Sequence, residues 1–331
     1  MSDARLRIGL AGAGWVSEHH LDAYQRLQER VTVAAIADPV RSAAEARAAR
    51  YGIAEVYASV EEMLEETTLD ALDIAAPREA HASLCRLAAR HGLAILCQKP
   101  LAPTLEEAEC LVAELGRRGR LMVHDNWRFR PHYRRVHEWI SEGRIGDVRS
   151  ASMMILTSGL LPDESGALPA LERQPMLAGL ERMLLMEVMI HHVDTLRFLL
   201  GPLALAAARL GKRCPRIRGE DRAALFLVGD DGAAVSLLGD FMAHGYPPHQ
   251  VDRLEVLGTE GSIFLRDNQL RLVGGPEQTV ELDLRANYKE SYRAAIAHFL
   301  DRLADGAPFE TSADDHLETL RIVEAAYRSG L

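Results

Sequence analysis

The sequence predicts an α/β protein in which a doubly wound parallel-sheet domain is followed by an α+β domain with a mostly antiparallel, open sheet. The chain has 331 residues, more than one ordinary hydrophobic core holds. Up to residue 124, short apolar runs alternate with helical patterns, as in a sheet with right-handed crossovers. Beyond residue 125, strand-like segments follow one another with little helix between them, which is typical of an antiparallel sheet. We therefore expect domains at 1–124 and 125–331.

The first domain is predicted from apolar runs bounded by polar or turn residues, the pattern of buried parallel strands. Helical patterns separate the runs, and one helix begins at a capping box that Thr104 forms with Glu107. The predicted strands are 6–11, 31–37, 69–76, 93–97 and 121–123, and the predicted helices include 41–50 and 79–91.

The second domain begins with a predicted helix over 131–141 and a strand over 148–156. A polar stretch over 157–175 follows, and loops of that length are usually functional or mobile. An apolar helix over 180–200 ends at Gly201. The remaining predicted strands are 203–211, 222–229, 233–243, 251–258 and 262–267, and helices over 288–304 and 313–328 close the chain.

The composition narrows the function classes. A formal net charge of −10 argues against a nucleic acid partner. The first residues lack the apolar core of a signal peptide, and no apolar run reaches membrane-spanning length. The four cysteines form no C-x-x-C pair, which argues against a zinc site or redox dithiol. We expect a cytoplasmic protein that binds neither a membrane nor a metal.

A glycine turn, Gly12-Ala13-Gly14-Trp15-Val16-Ser17, follows the first predicted strand and opens a helix. Gly12 permits a tight turn, and Gly14 lets a pyrophosphate approach the helix N-terminus. Ser17 stands where the usual fingerprint has a third glycine, and a small residue there still allows close packing. The placement predicts a Rossmann dinucleotide-binding domain, and the alternative is an ordinary glycine-rich turn.

Asp38 ends the second predicted strand. A carboxylate there can accept hydrogen bonds from both ribose hydroxyls of NAD and would repel the extra phosphate of NADP. Arg41 is close in sequence and can soften that repulsion. We expect NAD rather than NADP as the cofactor; the alternative for Asp38 is a simple turn residue.

Two further groups of residues suggest acid–base chemistry. Lys99-Pro100 ends a predicted strand, at the sheet edge where ligands of such domains bind, although a lysine at a strand end is usually solvated. Glu187, His191 and Asp194 are spaced to share one helix face. His191 can accept a hydroxyl proton near neutral pH, and the alternative is a buried histidine with a structural role.

As a set, these residues resemble the glucose–fructose oxidoreductase, inositol dehydrogenase and MocA (Gfo/Idh/MocA) family over almost the whole chain. The order and spacing of short motifs carry the resemblance. They are the glycine turn, Asp38-Pro39, Ala76-Pro77 with His81, Gln98-Lys99-Pro100, Arg128 with Pro131, Gly143-Arg144-Ile145-Gly146, Glu187 to Asp194 before Leu199-Leu200-Gly201, Leu257-Gly258-Thr259-Glu260-Gly261, and Ala325-Ala326-Tyr327-Arg328-Ser329.

The resemblance implies roles for individual residues. Lys99 matches the family's catalytic lysine, His191 matches its proton-transferring histidine, and Glu187 occupies the position of a catalytic-site aspartate. The expected cofactor-binding residues are Gly12, Gly14, Trp15, Val16, Asp38, Arg41, Pro77, His81, Gln98 and Lys99. The expected substrate contacts are Lys99, Asn126, Arg128, Arg173, Gln174 and His191.

Two departures from the family pattern bear on function. Gln98 replaces the glutamate of the usual Glu-Lys-Pro, which keeps a hydrogen-bonding group but removes a charge beside Lys99. Glu187 and Met189 replace the aspartate and glycine of Asp-x-Gly-x-His, and the longer Glu187 and bulky Met189 are expected to reshape the pocket. We interpret both departures as a change of substrate, with weakened catalysis as the alternative.

The predicted function is hydride transfer between a nicotinamide cofactor and a hydroxyl carbon of a sugar, inositol, polyol or sugar acid. One alternative is an enzyme that uses tightly bound NAD for transient oxidation, such as an eliminase or hydrolase. Another is a non-catalytic protein that senses a nucleotide or a sugar. An open apolar sheet face would pair with another copy, so a homodimer or homotetramer is expected.

Overall fold

The structure, a computed structural model, describes residues 5–116 and 120–329. Its contacts divide the chain into two compact units. The first unit extends to Arg130 and also contains Tyr288–Glu318; the second contains Pro131–Asn287 and the segment from Thr319 onward. The sequence predicted one boundary, after residue 124, and did not predict that a C-terminal segment joins the first unit.

The first unit contains a parallel sheet of six strands. These are β1 (Leu6–Ala11), β2 (Val31–Ala37), β3 (Glu55–Tyr57), β4 (Ala71–Ile74), β5 (Ala94–Gln98) and β6 (Leu121–His124), and the helices between them are α1 (Trp15–Gln25), α2 (Arg41–Tyr51), α3 (Val60–Glu66), α4 (Arg78–Arg90) and α5 (Leu105–Leu115). The strand order β3-β2-β1-β4-β5-β6 reverses at β1, which confirms the predicted Rossmann fold. β3 and α3 were not predicted, and the three residues of β3 are too few to show a strand pattern.

The second unit contains an eight-stranded sheet. Its strands are β7 (Val148–Leu156), β8 (Leu203–Gly211), β9 (Arg222–Gly229), β10 (Ala234–Asp240), β11 (Val251–Gly258), β12 (Ser262–Arg266), β13 (Gln269–Val273) and β14 (Gln278–Glu281), in the order β14-β13-β12-β11-β7-β10-β9-β8. The pair β7–β10 is parallel and the other pairs are antiparallel, which confirms the predicted mostly antiparallel sheet.

The helices after β6 are α6 (Pro131–Ser141), α7 (Pro169–Arg173), α8 (Ile190–Leu200), α9 (Leu284–Asp305) and α10 (Ala313–Ser329). Where the sequence predicted one helix over 180–200, a π-helix over Leu184–Met189 precedes α8. Among the described residues, no helix is long and apolar enough to cross a membrane.

The core of the first unit explains why a C-terminal segment belongs to it. On α9, Tyr292, Ile296 and Phe299 are at most 5% exposed. They form one cluster with Ile8 of β1 and Leu96 of β5. The periodicity of α9 predicts a helix with an apolar face, but it does not predict which sheet that face covers.

The two faces of the eight-stranded sheet differ. Along β9, Leu225 and Leu227 are buried while Phe226 between them is 47% exposed. The same alternation continues on β10, so one face is buried and the other is open. The π-helix lies against β9 and β10 on the buried side, as the contact of Met189 with Gly239 shows.

Candidate active site

The glycine turn between β1 and α1 has the backbone that its sequence predicts. Gly12 has φ +106°, and a Cβ atom there would lie 2.6 Å from the Ala75 carbonyl oxygen, so only glycine fits. At Gly14 a Cβ would meet no atom within 4 Å, which leaves open space beside the first residues of α1. Ser17 is fully buried, and its hydroxyl donates to the Gly14 carbonyl at 2.6 Å. The turn and the helix N-terminus therefore fit a pyrophosphate group.

The carboxylate of Asp38 stabilises this turn from the end of β2. Its Oδ2 accepts a hydrogen bond from the Ala13 backbone N–H at 2.7 Å, and its Oδ1 accepts one from the Val40 N–H at 2.7 Å. Each carboxylate oxygen keeps a further lone pair with which it can accept a ribose hydroxyl. The geometry therefore fits the ribose end of NAD.

The other predicted cofactor residues near the turn differ in exposure. Trp15 is 49% exposed and packs edge-on against His19, with ring centroids 4.6 Å apart. Val16 is half-buried against the core of the first unit. Arg41 is exposed and pairs with Glu45 on α2 at 3.0 Å.

His81 connects the ends of β4 and β5. It is 1% exposed, and its ring nitrogens lie 2.8 Å from the Pro100 carbonyl oxygen and 2.9 Å from the Ala76 carbonyl oxygen. Burial lowers the pKa of His81, so the neutral ring donates to one carbonyl at a time. His81 thus holds the Ala76-Pro77 segment beside the Lys99-Pro100 peptide bond, which is cis.

Gln98 and Lys99 end β5 at the same sheet edge. Gln98 is buried, and its amide nitrogen lies 2.7 Å from His20 Nε2 and 3.2 Å from His124 Nδ1. Lys99 is half-buried. Burial and the neighbouring His20 lower the pKa of His124 well below its usual range. Gln98 is therefore buried against His20 and His124, whereas the side chain of Lys99 is more exposed to solvent.

Sequence reasoning missed two buried residues that contact the segment after Lys99. His316, on α10, accepts the Leu101 backbone N–H at its Nε2 atom, 3.2 Å away, and its Nδ1 lies 2.6 Å from Asp125 Oδ2. Burial by itself raises the pKa of Asp125, but His316, Arg128 and Lys99 together lower it. A carboxylate directly after β6 was the available signal, but its partner lies 191 residues away.

Two predicted substrate contacts, Asn126 and Arg128, have partners within the first unit. The Asn126 amide donates to the Ser291 hydroxyl at 2.8 Å. The Arg128 guanidinium is 4% exposed and pairs with Asp315 at 2.7 Å. These contacts attach the end of β6 to the C-terminal segment of the first unit. The sequence did not predict these partners, because they lie far along the chain.

In the second unit, Glu187 lies on the π-helix and is half-buried. The start of this helix is held by the buried carboxylate of Glu220, which accepts the Met183 and Leu185 backbone N–H groups at 3.3 and 2.8 Å. The Tyr327 hydroxyl donates to Glu220 at 2.7 Å, and burial together with this carboxylate raises the pKa of Tyr327. The predicted face spans two elements, because Glu187 lies on the π-helix whereas His191 and Asp194 lie on α8.

His191 and Asp194 lie on α8 and are 7% and 0% exposed. The adjacent His192 is fully buried and has a structural partner, because its Nε2 lies 3.1 Å from Asp252 Oδ1. Tyr133 donates to the other oxygen of Asp252 at 3.1 Å. Among the described residues, no group of three or more His, Cys, Asp or Glu side chains could hold a metal ion.

Met189, which stands where the family pattern has glycine, packs in the core of the second unit. Its side chain is fully buried against β10, where a Cβ at Gly239 would lie 2.4 Å from the Met189 sulfur. The absence of a side chain at Gly239 thus provides the space for Met189 within the core.

The two predicted contacts in the long loop lie near the end of α7. Arg173 is exposed, and its guanidinium donates to the Pro248 carbonyl at 3.4 Å. Gln174 is half-buried and caps the C-terminus of α7. Both side chains lie in the second unit with Glu187 and His191, whereas the glycine turn, His81 and Lys99 lie in the first.

Comparison with known proteins bears on both units. Residues 6–125 match the family described as "Oxidoreductase family, NAD-binding Rossmann fold", and residues 133–264 match the "GFO/IDH/MocA C-terminal domain". The chain is 30% identical to an inositol 2-dehydrogenase of Rhizobium meliloti, over 98% of this chain and 96% of the relative. It is 29% identical to a D-apiose dehydrogenase of Rhizobium rhizogenes, over 99% of this chain and 96% of the relative. A crystal structure of an oxidoreductase from Agrobacterium radiobacter, in complex with NAD+, L-tartaric acid and magnesium, has a TM-score of 0.90 and 28% identity, covering 98% of this chain and 96% of that chain.

Proposed function

The chain belongs to the Gfo/Idh/MocA family of NAD-binding oxidoreductases, and from this premise we propose that it oxidises a hydroxyl carbon of a sugar, inositol, polyol or sugar acid. The observation that carries the proposal is the glycine turn that the Asp38 carboxylate stabilises, together with Lys99, which directly follows β5 in the same parallel sheet. The relatives named as inositol and D-apiose dehydrogenases support a polyhydroxylated substrate.

The contacts of Asp38 favour NAD over NADP. Its carboxylate is held by two backbone N–H groups at the place where NADP would carry a further phosphate. Arg41, which could otherwise neutralise that phosphate, is paired with Glu45. Bound NAD supplies the hydride acceptor.

Side chains of this protein would accept the substrate's hydroxyl proton and stabilise its oxygen. We assign Lys99 the stabilisation of the substrate oxygen, because an ammonium donates a charge-assisted hydrogen bond that strengthens as negative charge develops on that oxygen. We assign His191 the acceptance of the hydroxyl proton, a role that suits an imidazole at neutral pH. Glu187, Arg173 and Gln174 are proposed as polar contacts of the second unit with substrate.

The test is the appearance of reduced-nicotinamide absorbance, from NADH or NADPH, when the protein is mixed with NAD or NADP and a panel of aldoses, inositols, polyols and sugar acids. We expect a signal with NAD and one substrate group. Lys99→Met should abolish it without loss of NAD binding, and Lys212→Met, which changes an exposed lysine of the second unit, should not. Wild-type turnover in Lys99→Met would refute the role of Lys99.

If no substrate of the panel gave an absorbance signal although the protein bound NAD, the result would count against the dehydrogenase proposal. The redox state of the bound cofactor would then separate the alternatives. Cofactor that is reduced and reoxidised within one turnover indicates transient oxidation, and cofactor that never changes indicates a sensing protein.

We further propose that a second copy covers the open face of the eight-stranded sheet. Phe226 and Leu257 are 47% and 40% exposed there. The strand pairings lead across the sheet from Arg209 on edge strand β8 to Glu281 on edge strand β14. The two residues therefore lie on this same face and at the same height along the strands. A two-fold axis parallel to the strands would bring Arg209 of each copy over Glu281 of the other, so the face is complementary to itself.

Sedimentation tests this assembly. We expect a dimer or a tetramer for the wild type and a smaller species for Phe226→Glu. Val40→Glu alters an equally apolar, exposed position in the first unit, so it should leave the assembly unchanged. A monomeric wild type would refute the proposal.

A further inference from the structure

Two buried aspartate–histidine pairs contact the lysine turn, which we define as residues 98–101. His20 Nδ1 lies 2.7 Å from Asp73 Oδ2, and His316 Nδ1 lies 2.6 Å from Asp125 Oδ2. All four side chains are fully buried in the first unit. A buried carboxylate is costly unless it is hydrogen-bonded, so each histidine contributes to the stability of its aspartate.

The first pair holds the start of the lysine turn through the Gln98 side chain. The amide nitrogen of Gln98 can only donate, and it lies 2.7 Å from His20 Nε2. His20 therefore accepts at Nε2 and carries its proton at Nδ1, which it donates to Asp73. The Tyr24 hydroxyl is a second donor to the same carboxylate oxygen, at 2.9 Å.

The second pair holds the end of the lysine turn through the backbone. The Leu101 N–H can only donate, and its acceptor is His316 Nε2 at 3.2 Å. His316 is therefore also neutral and donates from Nδ1 to Asp125. The cation of Lys99 is one of the charges that lower the pKa of Asp125, so this carboxylate and the ammonium are electrostatically coupled.

We propose that the two pairs position Lys99. Both present an unprotonated Nε2 to a donor of the lysine turn, one at residue 98 and one at residue 101, so Lys99 is held between two fixed points. The proposal rests on the role of Lys99 in the proposed function. It assigns His20, Asp73, Asp125 and His316 as positioning residues that act through Lys99 without touching substrate.

The acceptor at His316 can be removed or kept by a matched pair of variants. In His316→Asn the amide nitrogen can replace Nδ1 as donor to Asp125, but nothing accepts the Leu101 N–H. In His316→Gln the amide oxygen can reach the Nε2 position and accept the Leu101 N–H. We expect kcat to fall about 10- to 100-fold in His316→Asn, since misplacement by about 1 Å costs that much, with KM for NAD unchanged.

We expect His316→Gln to retain kcat within about 3-fold of the wild type, because the lysine turn keeps its second fixed point. His298→Asn serves as the control, since it removes another histidine Nε2 that accepts a backbone N–H, that of Glu310, at 2.9 Å. Equal kcat values in the Asn and Gln variants, or an equal loss in the control, would overturn the proposal.

A second readout needs no substrate. The chain has three lysines, Lys99, Lys212 and Lys289. After reductive methylation with 13C-formaldehyde, each gives one dimethylamine NMR signal, and the Lys99 signal is identified by its loss in Lys99→Met. We expect it to shift in His316→Asn and to stay in place in His316→Gln, while the Lys212 signal stays constant in both. An unmoved Lys99 signal in a folded His316→Asn would overturn the positioning role, whereas failure of the substrate panel alone would refute only the proposed function.

The wild-type protein provides a check if a variant does not fold. The 15N shifts of His20 and His316 report which ring nitrogen is protonated. We expect both rings in the neutral form with the proton at Nδ1. A proton at Nε2 of His316 would be incompatible with the Leu101 bond and would overturn the proposal.

Discussion

Alanine at Gly239 should destabilise the wild-type protein but stabilise a variant that lacks the Met189 side chain. The added Cβ would lie 2.4 Å from the Met189 sulfur and 3.2 Å from its terminal methyl, in a fully buried contact between the π-helix and β10. Contact between nonbonded heavy atoms is favourable at about 3.5–4.0 Å, so one group must move by about 1 Å. Overpacking of this kind costs about 1–3 kcal/mol.

Met189→Ala alone removes the sulfur and leaves a cavity, at a cost of about 2–5 kcal/mol. In that background the Gly239→Ala methyl enters vacated space and should recover up to about 0.8 kcal/mol, the value of one buried methylene. The two single changes and the double change form a cycle, measured from urea-unfolding midpoints by tryptophan fluorescence, to which Trp139 of the second unit contributes. If Gly239→Ala has the same effect in both backgrounds, the two residues are not in contact and the reasoning fails.

Four further results are expected. Gly14→Ala should fold normally, because its Cβ meets no protein atom, yet weaken NAD binding in calorimetry about 10-fold or more by filling the pyrophosphate space; Gly12→Ala, whose Cβ meets the Ala75 carbonyl at 2.6 Å, should instead lower stability. Asp38→Ala should weaken NAD binding and reduce the preference for NAD over NADP, and an unchanged ratio of the two dissociation constants would contradict the role of the carboxylate. Tyr327→Phe should cost about 1–3 kcal/mol in unfolding experiments, because the buried Glu220 carboxylate loses a donor and the Met186 N–H loses an acceptor, and a neutral result would count against this anchor. Stability should fall as the pH drops below about 6.5, since the lowered pKa of buried His124 means that the unfolded state binds the proton first, and His124→Gln should reduce this loss in pH-dependent unfolding.

The sequence predicted those parts of the fold whose signals are local. The first glycine turn, the parallel strands after it and the Thr104 cap each depend on neighbouring residues, and the Thr104 hydroxyl does accept the Glu107 N–H, at 3.2 Å. Such features can be predicted because a hydrophobic pattern or a helix cap involves only residues within about ten positions of one another.

The parts that were missed depend on partners far along the chain. Arg128 pairs with Asp315, 187 residues later, and Asp125 pairs with His316, 191 residues later. The π-helix at Glu187 depends on a remote carboxylate, Glu220, that binds its first N–H groups. Nothing in the local pattern of 180–200 distinguishes this wide turn from an α-helix, so the sequence predicted one continuous helix there.

The division of the first unit into two chain segments has a consequence for biosynthesis. Its dinucleotide-binding sheet is complete within the first 130 residues, but Tyr292, Ile296 and Phe299 of α9 cover part of its core. On the ribosome, Ile8 and Leu96 therefore lack this cover until nearly the whole polypeptide has been translated. Exposed apolar surface of this kind recruits chaperones and favours aggregation in nascent chains. A product that ends before α9 would carry every residue of the glycine turn and would lack the side chains that cover Ile8 and Leu96.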